Sequence, residues 1–118
     1  MSVTGMASTV VSRKGSKMDT PKVSAKASEI LANAEDILSA RGRVYADPVT
    51  NHFRIAQFWS TYLEFSVEPH QVAMCMALVK IARSMETPSH LDSYIDGAAY
   101  FAIAAECATV DWDEYGNY

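Results

Sequence analysis

Long hydrophobic runs are missing from these 118 residues. None approaches the roughly 20 residues a helix needs to cross a bilayer, so a membrane protein is not expected. The N-terminus also lacks a signal-peptide pattern, its longest apolar run being Val10 and Val11. A cytoplasmic protein is the default expectation. Cysteine is scarce: Cys75 and Cys107 have neither CxxC spacing nor a neighbouring pair of histidines. That excludes a disulfide framework or zinc ribbon, and both are read as small buried hydrophobes within helices. Glycine and proline number only five and four. There is no Gly-rich phosphate loop, no internal repeat, no strand-like alternation of useful length, and no Ser-His-Asp or Cys-His arrangement in persuasive context.

What is present is near-half apolar composition with about a fifth charged residues, the balance of an ordinary globular domain. The length suits one domain. Charge is unevenly spread. Residues 1–26 hold five cations against one carboxylate, a net +4, while the remainder holds five against thirteen, a net −8. Five scattered cations without interleaved aromatics make a poor nucleic-acid footprint, and an acidic body argues against a dedicated nucleic-acid surface.

Residues 1–22 are rich in Ser, Thr, Lys and Gly, lack periodicity and read as a disordered tail; Met6 and Met18 leave a later natural start open. Residues 23–110 read as one helical domain. A first helix over about 24–41 carries the stripe Ile30, Leu31, Ala34, Ile37 and Leu38, with Gly42 as its stop. The next segment packs Arg41, Arg43, Tyr45 and Asp47 into one loop, a density of functional groups suited either to binding or to a solvated turn. A second helix, capped by Thr50 or Asn51, runs to about Phe65. Its inward face is His52, Ile55, Ala56, Trp59, Tyr62 and Leu63. A third helix over about 69–86 begins at Pro69 and is apolar nearly all round, as a central or interface helix would be. After Thr87-Pro88-Ser89, a fourth helix runs to about Ala108, with Ser89 and Asp92 approximating a capping box. Residues 111–118 form an acidic aromatic tail whose Trp112 and Tyr115 are positioned to fold back. The fold class is therefore all-α, a compact bundle of about four helices.

The chemistry concentrates between Val72 and Tyr100. Lys80 and Arg83 lie one turn apart in apolar surroundings, and Asp92 and Asp96 share a helical stripe with Ala99 and Ile103. Charges so placed must be paired, bound to a ligand or metal, or solvated in a cleft. Asp92 has a structural reading as a cap near the positive helix end. Asp96 has none, and it is the residue hardest to explain as scaffolding.

A series of motifs then carries a resemblance. Arg41-Gly42, Tyr45, Asp47-Pro48, Asn51-His52, Ile55-Ala56, Trp59, Gln71-Val72-Ala73, Lys80-Ile81-Ala82-Arg83 and His90-x-Asp92-Ser93-x-Ile95-Asp96-x-Ala98-x-Tyr100 resemble a family of small phage and prophage proteins. That family is similar to the phage nucleotide-modification-associated domain and, more distantly, to MazG-like all-α NTP pyrophosphatases. The resemblance spans about Ile30 to Glu106. It implies a phage-type nucleotide-binding protein in the cytoplasm of a bacterial host, and a Mg²⁺-dependent NTP or dNTP pyrophosphohydrolase. In that scheme Asp92 and Asp96 are the catalytic pair and, with Asp47, the Mg²⁺ ligands. Lys80, Arg83, Arg41 and Arg43 hold phosphates, and Tyr45, His52 or Trp59 contacts the base. It also implies a homo-oligomer, dimer or tetramer, with sites at subunit interfaces, where Glu64, Glu68 or Glu106 of a neighbour completes the metal shell.

Two departures weigh on the chemistry. The third helix offers Lys80 and Arg83 where MazG-like enzymes carry an ExxE pair, and Ala46 stands where the phage family usually has Gly. Two alternatives stay open: a non-catalytic nucleotide or nucleotide-signal binder, and a structural or protein-interaction module in which Lys80 and Arg83 pair with Asp96 and Asp92.

Overall fold

The computed structural model of the chain describes residues 24–44 and 47–115, with the side chains of 41–44 and 115 excepted. The described residues are helical, without strands: α1 (Ala27–Val44), α2 (Pro48–Leu63), α3 (Pro69–Glu86), α4 (Leu91–Thr109) and the single turn α5 (Trp112–Tyr115). An all-α bundle of four substantial helices is what the apolar periodicity predicts. The expected tail over 1–22 lies outside the described residues.

The boundaries correct several expectations. Lys26 opens α1, its carbonyl accepting from the amides of Glu29 and Ile30 while its backbone N–H donates to the Glu29 carboxylate. The helix then continues through Gly42 to Val44. A glycine costs a helix only about 1 kcal/mol relative to alanine, too little to stop it where the flanking residues continue the turn. Asp47, not Thr50 or Asn51, caps α2: its carboxylate accepts from the Thr50 backbone N–H at 3.0 Å and from the Thr50 hydroxyl at 2.9 Å. Pro48, with its preset φ and missing N–H, fits the first helical position that follows. His90, not Ser89, is the N-cap of α4, and it makes no side-chain cap hydrogen bond.

Only the first three turns of α2 face inward. Val49, His52 and Ala56 are buried and Ile55 and Trp59 half-buried, but Tyr62 and Leu63 are 86 % and 54 % exposed. The last turn runs past the helices that cover the rest, ending at Glu64 in the left-handed region at φ 56°. Ser60 secures the turn beyond it, its hydroxyl accepting from the Val67 N–H at 2.8 Å. The Gln71 side chain then accepts from the Glu68 N–H at 2.9 Å to start α3.

The central helix is α4. It packs against α1, α2 and α3 and buries Ser93, Ile95, Ala99, Ile103, Ala104 and Cys107. The core has two parts strung along it. Ala34, Ile95 and Ala99 meet Ile30 and Ile37 of α1; further along, Val49, Ala73, Ile103, Ala104 and Cys107 meet Leu38, Tyr100 and Trp112. The second helix of this pair, α3, is closely packed on one side only: Val72, Ala73 and Ala77 are buried, while Leu78, Ile81 and Met85 are more than half exposed. Of the two roles open to an all-round apolar helix, the central one therefore belongs to α4. Trp112 does fold back, its indole N–H donating to the Cys107 carbonyl at 3.2 Å and its ring lying 5.6 Å from Phe53.

Candidate functional site

The α3–α4 hairpin closes over a cavity of about 370 Å³ lined by Lys80, Arg83, Glu86, Thr87, His90, Asp92, Ser93 and Asp96. Its walls follow from the sequence. Lys80 and Arg83 are one turn apart near the C-terminal end of α3, where the helix dipole favours cations. Asp92 and Asp96 are one turn apart at the N-terminal end of α4, where it favours anions. The short connector brings those ends together, pinned where the Tyr94 hydroxyl donates to the Pro88 carbonyl at 2.8 Å.

The four charges behave differently. Lys80 Nζ meets Asp96 Oδ2 at 3.1 Å, and both side chains are largely withdrawn from water, at 17 % and 31 % exposure. The Lys80 stem lies against Gly97, where an added Cβ would stand 3.5 Å from Lys80 Cβ, an ordinary contact. Asp92 is 78 % exposed, with His90 Nε2 at 4.0 Å from its Oδ2. Arg83 is exposed and has no carboxylate within 4 Å among the described residues. Half of the anticipated network exists: Asp96 has its lysine, and Arg83 is not joined to Asp92.

Two permanent cations thus face three carboxylates, Glu86, Asp92 and Asp96, around one open cavity. Its net charge is negative. Such a lining does not attract a bare polyphosphate. It suits a ligand that brings its own cation or presents both signs of charge.

Other candidates lie elsewhere. Asp47 caps α2 and does not line the cavity; neither do His52 and Trp59. Tyr45 and the side chains of Arg41 and Arg43 lie outside the described residues. Glu64, Glu68 and Glu106 are exposed on the surface. Among the described residues, no three His, Cys, Asp or Glu side chains gather as a metal-binding group. A resident Mg²⁺ site built from Asp92, Asp96 and Asp47 therefore does not fit, because Asp96 holds Lys80 and Asp47 serves another helix. Glu86, Thr87, His90 and Ser93 line the cavity without having been singled out for it. The signal available for them was the placement of a polar connector between two helices whose facing ends carry opposite charges.

Beside the middle of α4 lies a second polar group, enclosed. His52 is 4 % exposed; its Nδ1–H donates to the Pro48 carbonyl at 2.8 Å, and its ring meets Tyr100 edge-on with centroids 6.2 Å apart. A carbonyl only accepts, so Nδ1 carries the proton in this hydrogen bond. Nε2 is buried without a hydrogen-bond partner among the described residues. The inward, hydrogen-bonded histidine expected from the wheel is present. Nearby, burial, reinforced by Glu106 and Asp47, pushes the Cys107 thiol up to about 11. Cys75 is exposed, unlike the buried hydrophobe expected, because it sits on the uncovered side of α3.

A family model, "Domain of unknown function (DUF6378)", matches residues 29–108, which takes in the four long helices almost entirely. The chain belongs to the DUF6378 family. Among curated relatives, this DUF6378 chain is similar to the Gene 55 protein of Mycobacterium phage L5, 38 % identical over 90 residues, covering 73 % of this chain and 56 % of that protein. It is likewise similar to the Gene 55 protein of Mycobacterium phage D29, 39 % identical over 72 residues, covering 60 % of this chain and 48 % of that one. The DUF6378 chain spans about half the length of these relatives. No solved structure matches it. The phage character implied by the motifs is thus shown. Among the described residues, no helix is long and apolar enough to cross a membrane.

Proposed function

We propose that the α3–α4 cavity binds a nucleoside polyphosphate as its magnesium complex. One observation carries it: an open cavity of about 370 Å³, within the range of small-molecule sites, lined by a guanidinium with no ion-pair partner among the described residues, a lysine–carboxylate pair and the exposed Asp92 beside His90. Arg83 is the phosphate contact, since a guanidinium matches two phosphate oxygens at once. Mg²⁺ arrives with the ligand and not as a resident ion, in keeping with its habit of binding one or two carboxylates together with substrate phosphates. Asp92 would be the carboxylate that meets the ligand's Mg²⁺, with Lys80, held by Asp96, as a second cation beside the phosphates. His90, Ser93 and Thr87 add hydrogen-bonding groups at the rim. The resemblance to phage nucleotide-modification-associated and MazG-like proteins supports a nucleotide ligand.

The function extends to binding and not to hydrolysis. Catalysis would need a base placed beside the attacked phosphorus, and the histidine that lines the cavity, His90, is exposed beside Asp92. Calorimetric titration with a panel of NTPs and dNTPs, with and without Mg²⁺, tests the ligand, and chromatography of the products tests turnover. Mg²⁺-dependent binding that Arg83→Ala weakens by tenfold or more is the expected result. Absence of binding by every nucleotide in the panel would sink it, and released pyrophosphate would extend it to the pyrophosphohydrolase that the resemblance implies.

The 3.1 Å Lys80–Asp96 pair favours a second function, a staple that fixes the hairpin in a protein-interaction module. The two separate on Asp96→Asn: a staple loses stability, whereas a site loses ligand and keeps its fold.

A further inference from the structure

The outer side of α3 is an apolar strip that does not line the cavity and that no other described residue covers. Met74, Leu78, Ile81 and Met85 are 37 %, 56 %, 54 % and 78 % exposed. Exposed Cys75 and Ala82 lie beside them, and no charged residue stands between Pro69 and Lys80. The four large side chains are separated by four, three and four residues. That is the alternation that gives a helix a seam for another helix.

The alternation reads the same in both directions. A second α3 running antiparallel across a two-fold axis places Met74 opposite Met85 and Leu78 opposite Ile81, with helix dipoles in favourable opposition. The strip offers on the order of 500 Å² per copy, so pairing removes on the order of 1,000 Å², the size at which specific interfaces begin. An uncharged strip gives a charged partner nothing to recognise. A second copy matches it in length, spacing and polarity at once. We infer that two copies of this chain associate through antiparallel pairing of α3 along Met74, Leu78, Ile81 and Met85.

The pairing has a consequence for the cavity. At 100° per residue, Lys80 points about 130° and Arg83 about 170° away from the middle of the seam. Both cavities of the dimer stay open on its outer faces, and the neighbour's carboxylates do not reach them. This departs from the shared-interface site that the MazG resemblance implies.

Size-exclusion chromatography with light scattering, under reducing conditions and across a micromolar dilution series, measures the association without any nucleotide. The expected mass is twice that of the chain at high concentration, falling to the chain mass for Leu78→Glu/Ile81→Glu with its helical circular dichroism retained. A wild-type chain that is monomeric throughout, or a folded double variant that stays dimeric, overturns the pairing. Should the double variant fail to fold, Met74→Cys/Met85→Cys in a Cys75→Ser background decides. The two cysteines lie about 16 Å apart along one helix and bond only between copies. Oxidation is expected to give a covalent dimer on a non-reducing gel, and its absence overturns the antiparallel register.

Discussion

The two ends of α4 handle polarity in opposite ways. At its N-terminal end, charged groups gather around an open cavity, and one pair, Lys80–Asp96, is drawn partly out of water. In its C-terminal half, Cys107 and Trp112 are packed against apolar neighbours, and a ring nitrogen of His52, beside Tyr100 at the helix midpoint, is enclosed without a hydrogen-bond partner among the described residues. A buried polar atom left unsatisfied weakens the fold by about 1–3 kcal/mol, so it persists only where the surrounding packing is strong enough to hold it. The open end keeps its charges where solvent or a ligand can reach them. The contrast assigns stability to one end and binding to the other.

That division can be broken experimentally. Trp112→Ala, at the packed end, is expected to cost about 3 kcal/mol, since it removes a large ring from Phe53 and the Cys107 cluster; denaturant titration measures it. A loss under 1 kcal/mol would show that the last turn contributes little. Cys107 supplies the next largest effect. Its folded value of about 11 stands above the ordinary 9.0, so the folded chain holds the thiol proton longer than the unfolded one. Stability is intact below pH 9 and declines by about 2–3 kcal/mol as pH rises to about 11. Cys107→Ala should remove that decline from a series of unfolding curves, and an unchanged decline would place its origin elsewhere.

Smaller effects are expected at the open end. Asp96→Asn leaves Lys80 without its carboxylate, and the partial exposure of both groups holds the cost to about 1 kcal/mol. A cost above 3 kcal/mol would make the pair a structural staple. Arg83→Ala should move stability by no more than about 0.5 kcal/mol, because the exposed guanidinium has no ion-pair partner among the described residues. Its effect belongs in nucleotide titration, and a large thermal destabilisation would erase the contrast between the ends.

Much of this was legible in the chain. Periodicity marked four helices, the third with the observed bounds Pro69–Glu86, and the wheel pointed His52 inward and set Asp96, Lys80 and Arg83 apart as charges needing a partner, of which Asp96 and Lys80 have one in each other. Local rules failed where two signals competed. Gly42 read as a stop but lies within α1, and Thr50 read as a cap but hydrogen-bonds to the true cap, Asp47. Tyr62 and Leu63 continued an apolar stripe beyond the point where anything packs on it.

Sequence alone determined the helical class, the helix count and the residues whose charge conflicts with their apolar neighbours, because these depend on spacing along one chain. Tertiary structure alone decided which helix is central, which side of α3 the other described residues leave uncovered, and that Asp96 meets Lys80 while Arg83 has no ion-pair partner among the described residues. Those outcomes depend on how one helix lies against another, and a helical wheel carries no information about its neighbours.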